Sequence, residues 1–300
     1  MTSRTNRPPL INQATHIFWQ NLLRQKPLLA SFKLTYKCNL RCQQCPFCHL
    51  QSAELSLREV CTILEDLYSR GNRIVIFEGG EPTLWQDNKY SIIDVLIYAR
   101  QIFYSVGITT NGTRSLDLPA DVVWVSIDGF EQTHNELRGA NIFAKIMQNV
   151  KASLHPKLFA HVTVNAVNAP EVSALVRYLN DHFKGITVQF YYPYNSKDDL
   201  FLPFDMRSRL LDELIALKRS GIRILNSVSA MQALKANTWR CYDRLMDNVN
   251  PDGTMQQGCY LKGRGDIDCS KCGFSPHTEI SLAVRGNLGS ILAGKQIFTA

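Results

Sequence analysis

Short apolar strands alternating with amphipathic helices predict an α/β fold for this chain. Three observations carry that reading. Six strand-like runs, among them "RIVIFEGG" (73–80), "VVWVSIDG" (122–129) and "ITVQFYY" (186–192), are joined mostly by segments of helical spacing. The runs are apolar almost throughout, as strands covered on both faces are. Cysteine, glycine and asparagine gather directly after them. Right-handed βαβ crossovers curl six such units into an open barrel or a twisted sheet. In such barrels the chemistry sits at the C-terminal ends of the strands.

The elements follow in order. "ATHIFWQNLLRQK" (14–26) sets Ile17, Phe18, Leu22 and Leu23 on one helical face, read as docking on the body rather than on a membrane surface. "SFKLTY" (31–36) is the first strand. Ser56 and Glu59 then form a capping box, Leu57, Val60, Leu64 and Leu67 repeat at helical spacing, and Gly71 stops the helix. Cys61 falls on that apolar face and reads as a small buried hydrophobe. Strands at 73–80, 106–112, 122–129, 158–167 and 186–192 alternate with helices at 91–103, 141–154, 171–183 and 206–221. "FEQTHNELRG" (130–139) reads as a loop after the fourth strand.

Composition narrows the function classes. The chain has 300 residues, 45% apolar and 20% charged, the balance of a globular protein. Its net charge of +7 is scattered, without the cluster a nucleic-acid binder shows. No signal-peptide core and no run long enough to span a membrane occurs, so a cytoplasmic, reducing compartment is expected. There, cysteines serve as metal ligands or catalysts more often than as disulfides. Eight of the nine cysteines fall in two groups, at 38–48 and 241–272.

The first group lies in "YKCNLRCQQCPFCHL" (36–50) with the spacing Cys38-x3-Cys42-x2-Cys45. Three thiolates can hold three irons of a [4Fe–4S] cube and leave the fourth iron open to a small chelating molecule. With "GGEP" after the second strand, "TNG" after the third and "SIDG" after the fourth, the chain resembles the radical S-adenosylmethionine (radical SAM) superfamily over about residues 30 to 195. The resemblance implies a partial (βα)6 TIM-like barrel. It also implies a SAM-binding [4Fe–4S] cluster on Cys38, Cys42 and Cys45, and one-electron cleavage of S-adenosylmethionine to a 5′-deoxyadenosyl radical.

In that family the strip Gly79, Gly80, Glu81 and Pro82 meets the amino group of S-adenosylmethionine; an ordinary turn is the alternative. Asn111, Ser126 and Asp128 are expected near the ribose or methionine carboxylate, or else as turn residues. Arg138 is a candidate partner for a carboxylate, or a solvated arginine. Val164, Asn165 and Tyr192 are candidates for lining the adenosine. One departure stands out: Gln44 precedes the third cysteine, where the family often carries an aromatic residue, and Phe47 follows it instead. Cys48 reads as a bystander, with a fourth cluster ligand or a zinc ligand as the other possibilities. His49 reads as a loop residue.

The second group is Cys241-x17-Cys259-x9-Cys269-x2-Cys272, with "NPDGT" between the first two marking a hairpin turn. By spacing alone, zinc is preferred. By resemblance it is a reduced SPASM/twitch-like extension holding an auxiliary [4Fe–4S] cluster.

The expected organisation is therefore an N-terminal helical extension (1–29), a radical SAM core (30–195), a helical continuation (196–236) and a small Cys-rich C-terminal lobe (237–300). The expected activity is hydrogen abstraction from a peptide or small metabolite, fed by an electron donor such as a flavodoxin or ferredoxin. The stretch "FWQNLLRQKPLLASFKLTYKCNLRC" (18–42) is similar to the lead-in of hopanoid adenosyl-transferring enzymes, so adenosyl-radical addition to a lipid alkene is a second expectation. Chemistry on a sugar or nucleoside has no specific signal. A non-catalytic metal-binding or tRNA-binding scaffold and a zinc hydrolase are the rivals from other classes. The hydrolase would need His or carboxylate ligands, of which the loop offers only His49.

Overall fold

The computed structural model describes residues 26–47, 49–194, 198–262 and 267–299. The helix expected over 14–26 falls almost wholly outside them, as does Cys48. Six parallel strands form the body: β1 (Leu29–Thr35), β2 (Ile74–Gly79), β3 (Ser105–Thr110), β4 (Val122–Ser126), β5 (Leu158–Val164) and β6 (Gly185–Phe190). The C-terminal region adds β7 (Met246–Val249), parallel to β1, and β8 (Met255–Gln257), antiparallel to β7. The eight strands make one sheet in the order β8-β7-β1-β2-β3-β4-β5-β6. This is the open, mostly parallel α/β barrel that the strand–helix alternation predicts.

Helices α1 (Leu57–Arg70), α2 (Ile92–Ile102), α3 (Glu131–Arg138), α4 (Phe143–Ala152), α5 (Val172–His182) and α6 (Phe204–Arg219) link or follow the strands. Helix α1 begins as its sequence dictates: the Ser56 hydroxyl accepts from Glu59 N–H, and the Glu59 carboxylate accepts from Ser56 N–H. It ends at Gly71, whose φ of 121° suits glycine. The helix α3 is a departure from expectation, since 130–139 reads as a loop. It lacks a side-chain N-cap and is polar on most faces. Only His134 and Leu137 are buried, too few for a visible period.

The outer faces of the strands, such as Phe32, Phe77, Ile108, Val125 and Val162, pack against the helices in one continuous core. The inner faces divide into two layers. Near the strand starts Val122, Trp124, Phe159 and Leu225 form an apolar floor, joined by Ile297 and Phe298. Toward the strand ends the inward positions turn polar. Helices α7 (Val228–Leu234), α8 (Ser275–Val284) and α9 (Leu288–Phe298) complete the chain. Helix α8 buries Ser275, His277, Thr278 and Ser281, a polar face that gives no amphipathic signal.

Candidate active site

The cysteine loop leaves β1 at Thr35 and is held from three sides. Thr35 Oγ1 accepts from Lys37 N–H at 2.9 Å and donates to Glu54. Gly80 N–H donates to Thr35 O at 2.7 Å, and Glu81 N–H to Lys37 O at 2.8 Å. This closeness explains the glycines: a Cβ on Gly79 would lie 2.4 Å from Thr35 O, and one on Gly80 2.2 Å from Lys37 O. The third support is the C-terminal end of α3. Gln43 N–H donates to Leu137 O at 2.9 Å, its side chain to Glu136 O at 3.2 Å, and Gly139, with φ 69°, packs on Arg41 O. Burial pushes the Cys38 thiol above its ordinary pKa, and the nearby Glu81 carboxylate and Cys42 add to this. A cavity of about 620 Å³ opens beside the loop, lined by Tyr36, Cys38 and Arg41 on one side and His49 to Ser52 on the other.

The strand tips gather as expected, and the structure gives each a local task. Glu81 is fully buried. Its Oε1 accepts from Thr110 Oγ1 at 2.7 Å and Thr83 Oγ1 at 2.6 Å, and its Oε2 from Asn111 N–H at 2.7 Å. Asn111 donates to Asn39 of the cysteine loop at 2.8 Å, and buried Pro82 opens a short 3₁₀ turn. Asp128 accepts from Gln44 Nε2 at 2.6 Å and from Thr163 N–H at 3.1 Å. Ser126 stands half-buried at the end of β4, opposite His161. Gln44 therefore clamps the loop to the fourth strand tip, while Phe47 stacks on Tyr36 and meets Tyr260 of the C-terminal lobe edge-on.

Two expectations need correction. Arg138 is not solvated, and the carboxylate it pairs with belongs to the chain itself. Its Nη2 pairs with Asp128 at 2.6 Å, and Nη1 lies 3.9 Å from Cys42 Sγ. The Val164 side chain lies in the core between sheet and helices, because alternation on β5 turns Thr163 and His161 inward instead. Its neighbour Asn165 is fully buried, and its side-chain N–H donors have no acceptor among the described residues.

The inner layer itself went unread in the sequence. Glu78, Thr109, Ser126, His161, Thr163 and Gln189 are half-buried residues of five successive strands, and buried Lys33 stands next to Glu78. The signal was available: polar residues at alternate places in otherwise apolar strands. Lys33 Nζ is 3.9 Å from Glu78 and 4.5 Å above the Tyr260 ring. The His161 Nδ1 meets Thr187 Oγ1 at 2.9 Å. Thr187 donates its own proton to Ala160 O, so Nδ1–H is the donor and Nε2 keeps a lone pair. Burial depresses the His161 pKa to about 4.

The second cysteine group is also brought together. The Cys241 thiol is pushed up to about 12 by burial, then by Asp243 and the thiols of Cys259, Cys272 and Cys269. Cys272 is raised to about 11 by burial, with Cys259 and Cys269 adding to it. Gly273 binds the end of β6, its carbonyl accepting from Phe190 N–H at 3.0 Å. The lobe thus bridges the two free edges of the open barrel. Among the described residues no group of three or more His, Cys, Asp or Glu side chains is arranged to hold a single metal ion. Both cysteine groups offer the soft thiol donors that iron–sulfur clusters require. Each also has an arginine beside it, half-buried Arg138 at Cys42 and buried Arg207 at Cys272.

Comparison with known proteins agrees with this architecture. The profile of the radical SAM superfamily matches residues 32–173. The chain is 28% identical over 183 residues to the sporulation killing factor maturation protein SkfB of Bacillus subtilis (strain 168), covering 56% of this chain and 43% of that protein. It is 31% identical over 129 residues to Fe-coproporphyrin III synthase of Methanosarcina barkeri, covering 38% and 30%. The chain thus spans less than half the length of these two curated relatives. Streptococcus suis SuiB, solved bound to precursor peptide SuiA, shares the fold with a TM-score of 0.63 at 14% identity, over 86% of this chain and 66% of that one. Cys38, Cys42, Cys45 and the "GGEP" strip all fall inside the matched span, which marks residues 32–173 as a radical SAM domain.

Proposed function

We propose that this chain cleaves S-adenosylmethionine reductively at a [4Fe–4S] cluster held by Cys38, Cys42 and Cys45, and turns the resulting radical on a polar, peptide-like substrate in the barrel. The cluster and S-adenosylmethionine together supply the one-electron cleavage that yields a 5′-deoxyadenosyl radical. The chain's own residues bind, orient and shield. The glycine strip and α3 hold the cysteine loop over the strand ends. Asn165, with buried donors to spare, is suited to donate to a nucleotide's oxygen or nitrogen atoms.

The observation that carries the substrate reading is the polar inner layer. Glu78, Thr109, Ser126, His161, Thr163 and Gln189 offer hydrogen bonds where an isoprenoid chain would meet none. That layer favours a peptide or polar metabolite over a lipid alkene. Two of the similar proteins favour a peptide, one being named for maturation of a killing factor and another solved with a precursor peptide. Cys241, Cys259, Cys269 and Cys272 would hold a second cluster or zinc, and a flavodoxin or ferredoxin would supply electrons.

The test is anaerobic reconstitution followed by a 5′-deoxyadenosine assay with dithionite. Alanine at Cys38, Cys42 or Cys45 should reduce the product to background, while Cys48→Ala should retain it. Added peptides should stimulate product formation and acquire a mass change. Stimulation by polyprenyl lipids alone would reverse the substrate assignment.

A further inference from the structure

Arg207 is a buried charge with no ion pair among the described residues. It projects from the first turn of α6 and is only 1% exposed. Its Nη1 donates to Cys272 O at 2.9 Å and its Nη2 to Asn237 Oδ1 at 3.3 Å. The guanidinium lies 4.5 Å from the Phe190 ring centre and 5.3 Å from that of Phe204. Its Nε has no acceptor, and no carboxylate pairs with it among the described residues. The arginine beside the first cysteine group differs, because Arg138 is neutralised by Asp128 at 2.6 Å.

A guanidinium taken out of water without an anion is costly, and neutral carbonyls offset only part of that. The surroundings place one class of anion within reach. Cys272, whose carbonyl Arg207 already holds, belongs to the same C-terminal cysteine group as Cys241, Cys259 and Cys269. Ligating cysteines bind as thiolates. Four of them around a zinc ion, or around a [4Fe–4S] cluster in its 2+ state, leave a net charge of about −2 in either case.

We infer that Arg207 is the counter-ion and positioning residue of an anionic four-thiolate centre built from Cys241, Cys259, Cys269 and Cys272. The inference rests on the reading of those cysteines as a metal or cluster site. It adds the reason a bare cation is kept beneath them. Asn237 completes the brace. It adopts a left-handed conformation with φ 50° and donates to the carbonyls of Ser270 and Cys272, which fixes the turn that carries Cys269 and Cys272.

The test compares Arg207→Lys, which keeps the charge, with Arg207→Gln and Arg207→Met, which remove it, in the full chain. Iron, sulfide and zinc per chain are measured after reconstitution, in a Cys38→Ala/Cys42→Ala/Cys45→Ala background that leaves only the second site. Iron with sulfide identifies a cluster, and zinc alone identifies a mononuclear centre. The neutral variants should lose metal to a chelator about 10- to 100-fold faster, the usual cost of removing an outer-shell partner, whereas Lys should stay near the parent rate. The metal-free neutral variants should melt at or above the parent temperature, since the uncompensated charge is gone. Equal retention by Gln, Met and parent overturns the inference while leaving the cysteine site standing. So do metal-free neutral variants that cannot fold. A parent that binds no more metal than one also lacking the four C-terminal cysteines overturns both readings.

Discussion

His134 shows how one buried side chain ties stability to pH. Its Nδ1 accepts from the Asp128 N–H at 3.1 Å, so its proton sits on Nε2, which is buried without an acceptor among the described residues. Burial, then the Arg138 charge, hold its pKa down at about 4, against the pull of Asp128. Above pH about 6.5 both folded and unfolded chains carry a neutral imidazole. Between that value and about 4 only the unfolded chain takes up the proton, so stability falls with falling pH. The loss at this one site is roughly 3 kcal/mol once pH reaches the folded pKa. His277, held near 4 by burial, acts in the same sense. Urea midpoints at pH 7 and pH 4.5 should therefore differ, and His134→Gln should narrow the gap. An unchanged gap would mean that His134 titrates alike in the folded and unfolded chains. Glu81→Ala should cost about 3 kcal/mol, because several buried donors lose their acceptor at once. Equilibrium unfolding measures it, and a loss below about 1 kcal/mol would place water in that pocket.

At the level of elements, α3 and the glycine strip act as the two jaws that hold the cysteine loop. Gly80→Ala should force the strip away from Lys37 O, and Gly139→Ala should strain a left-handed cap while pressing on Arg41 O. Both variants should fold yet reconstitute the first cluster poorly, read as loss of its visible absorbance. Normal reconstitution in Gly80→Ala would show that the loop holds itself. Ser56→Ala, far from either jaw, should cost only about 1 kcal/mol through its helix cap. These elements differ in how openly they announce themselves. Helix α1 is plain from its capping box and apolar spacing. Helix α3 is hidden because it buries two residues and is stabilised by what docks on it.

In the molecule as a whole, the C-terminal region completes the barrel rather than hanging beside it. Asp247 on β7 is fully buried and pairs with Arg70 of α1 through two bonds of 2.9 Å, and Asn72 donates to it at 2.7 Å. Asp247→Ala should cost about 3 kcal/mol, the low end for a buried pair because Arg70 still reaches solvent. Hydrogen exchange should then quicken across 246–257 before it does in β2 to β5. Uniform quickening would mean that the hairpin and barrel unfold as one unit. The aromatic contacts of Tyr260 with Phe47 and of Phe274 with Tyr192 run along the same seam, so that loosening the hairpin should also disturb the cysteine loop.

By itself the sequence determined the α/β alternation, the cysteine spacing, the polar strand tips and the hairpin at "NPDGT", because each is written in neighbouring residues. The tertiary structure alone decided the rest. It paired Arg138 with Asp128, turned Val164 into the core, ringed the lumen with polar side chains and set Arg207 under Cys272. Those relations join residues tens of positions apart, and their energies come from burial and charge that exist only once the sheet has closed around them.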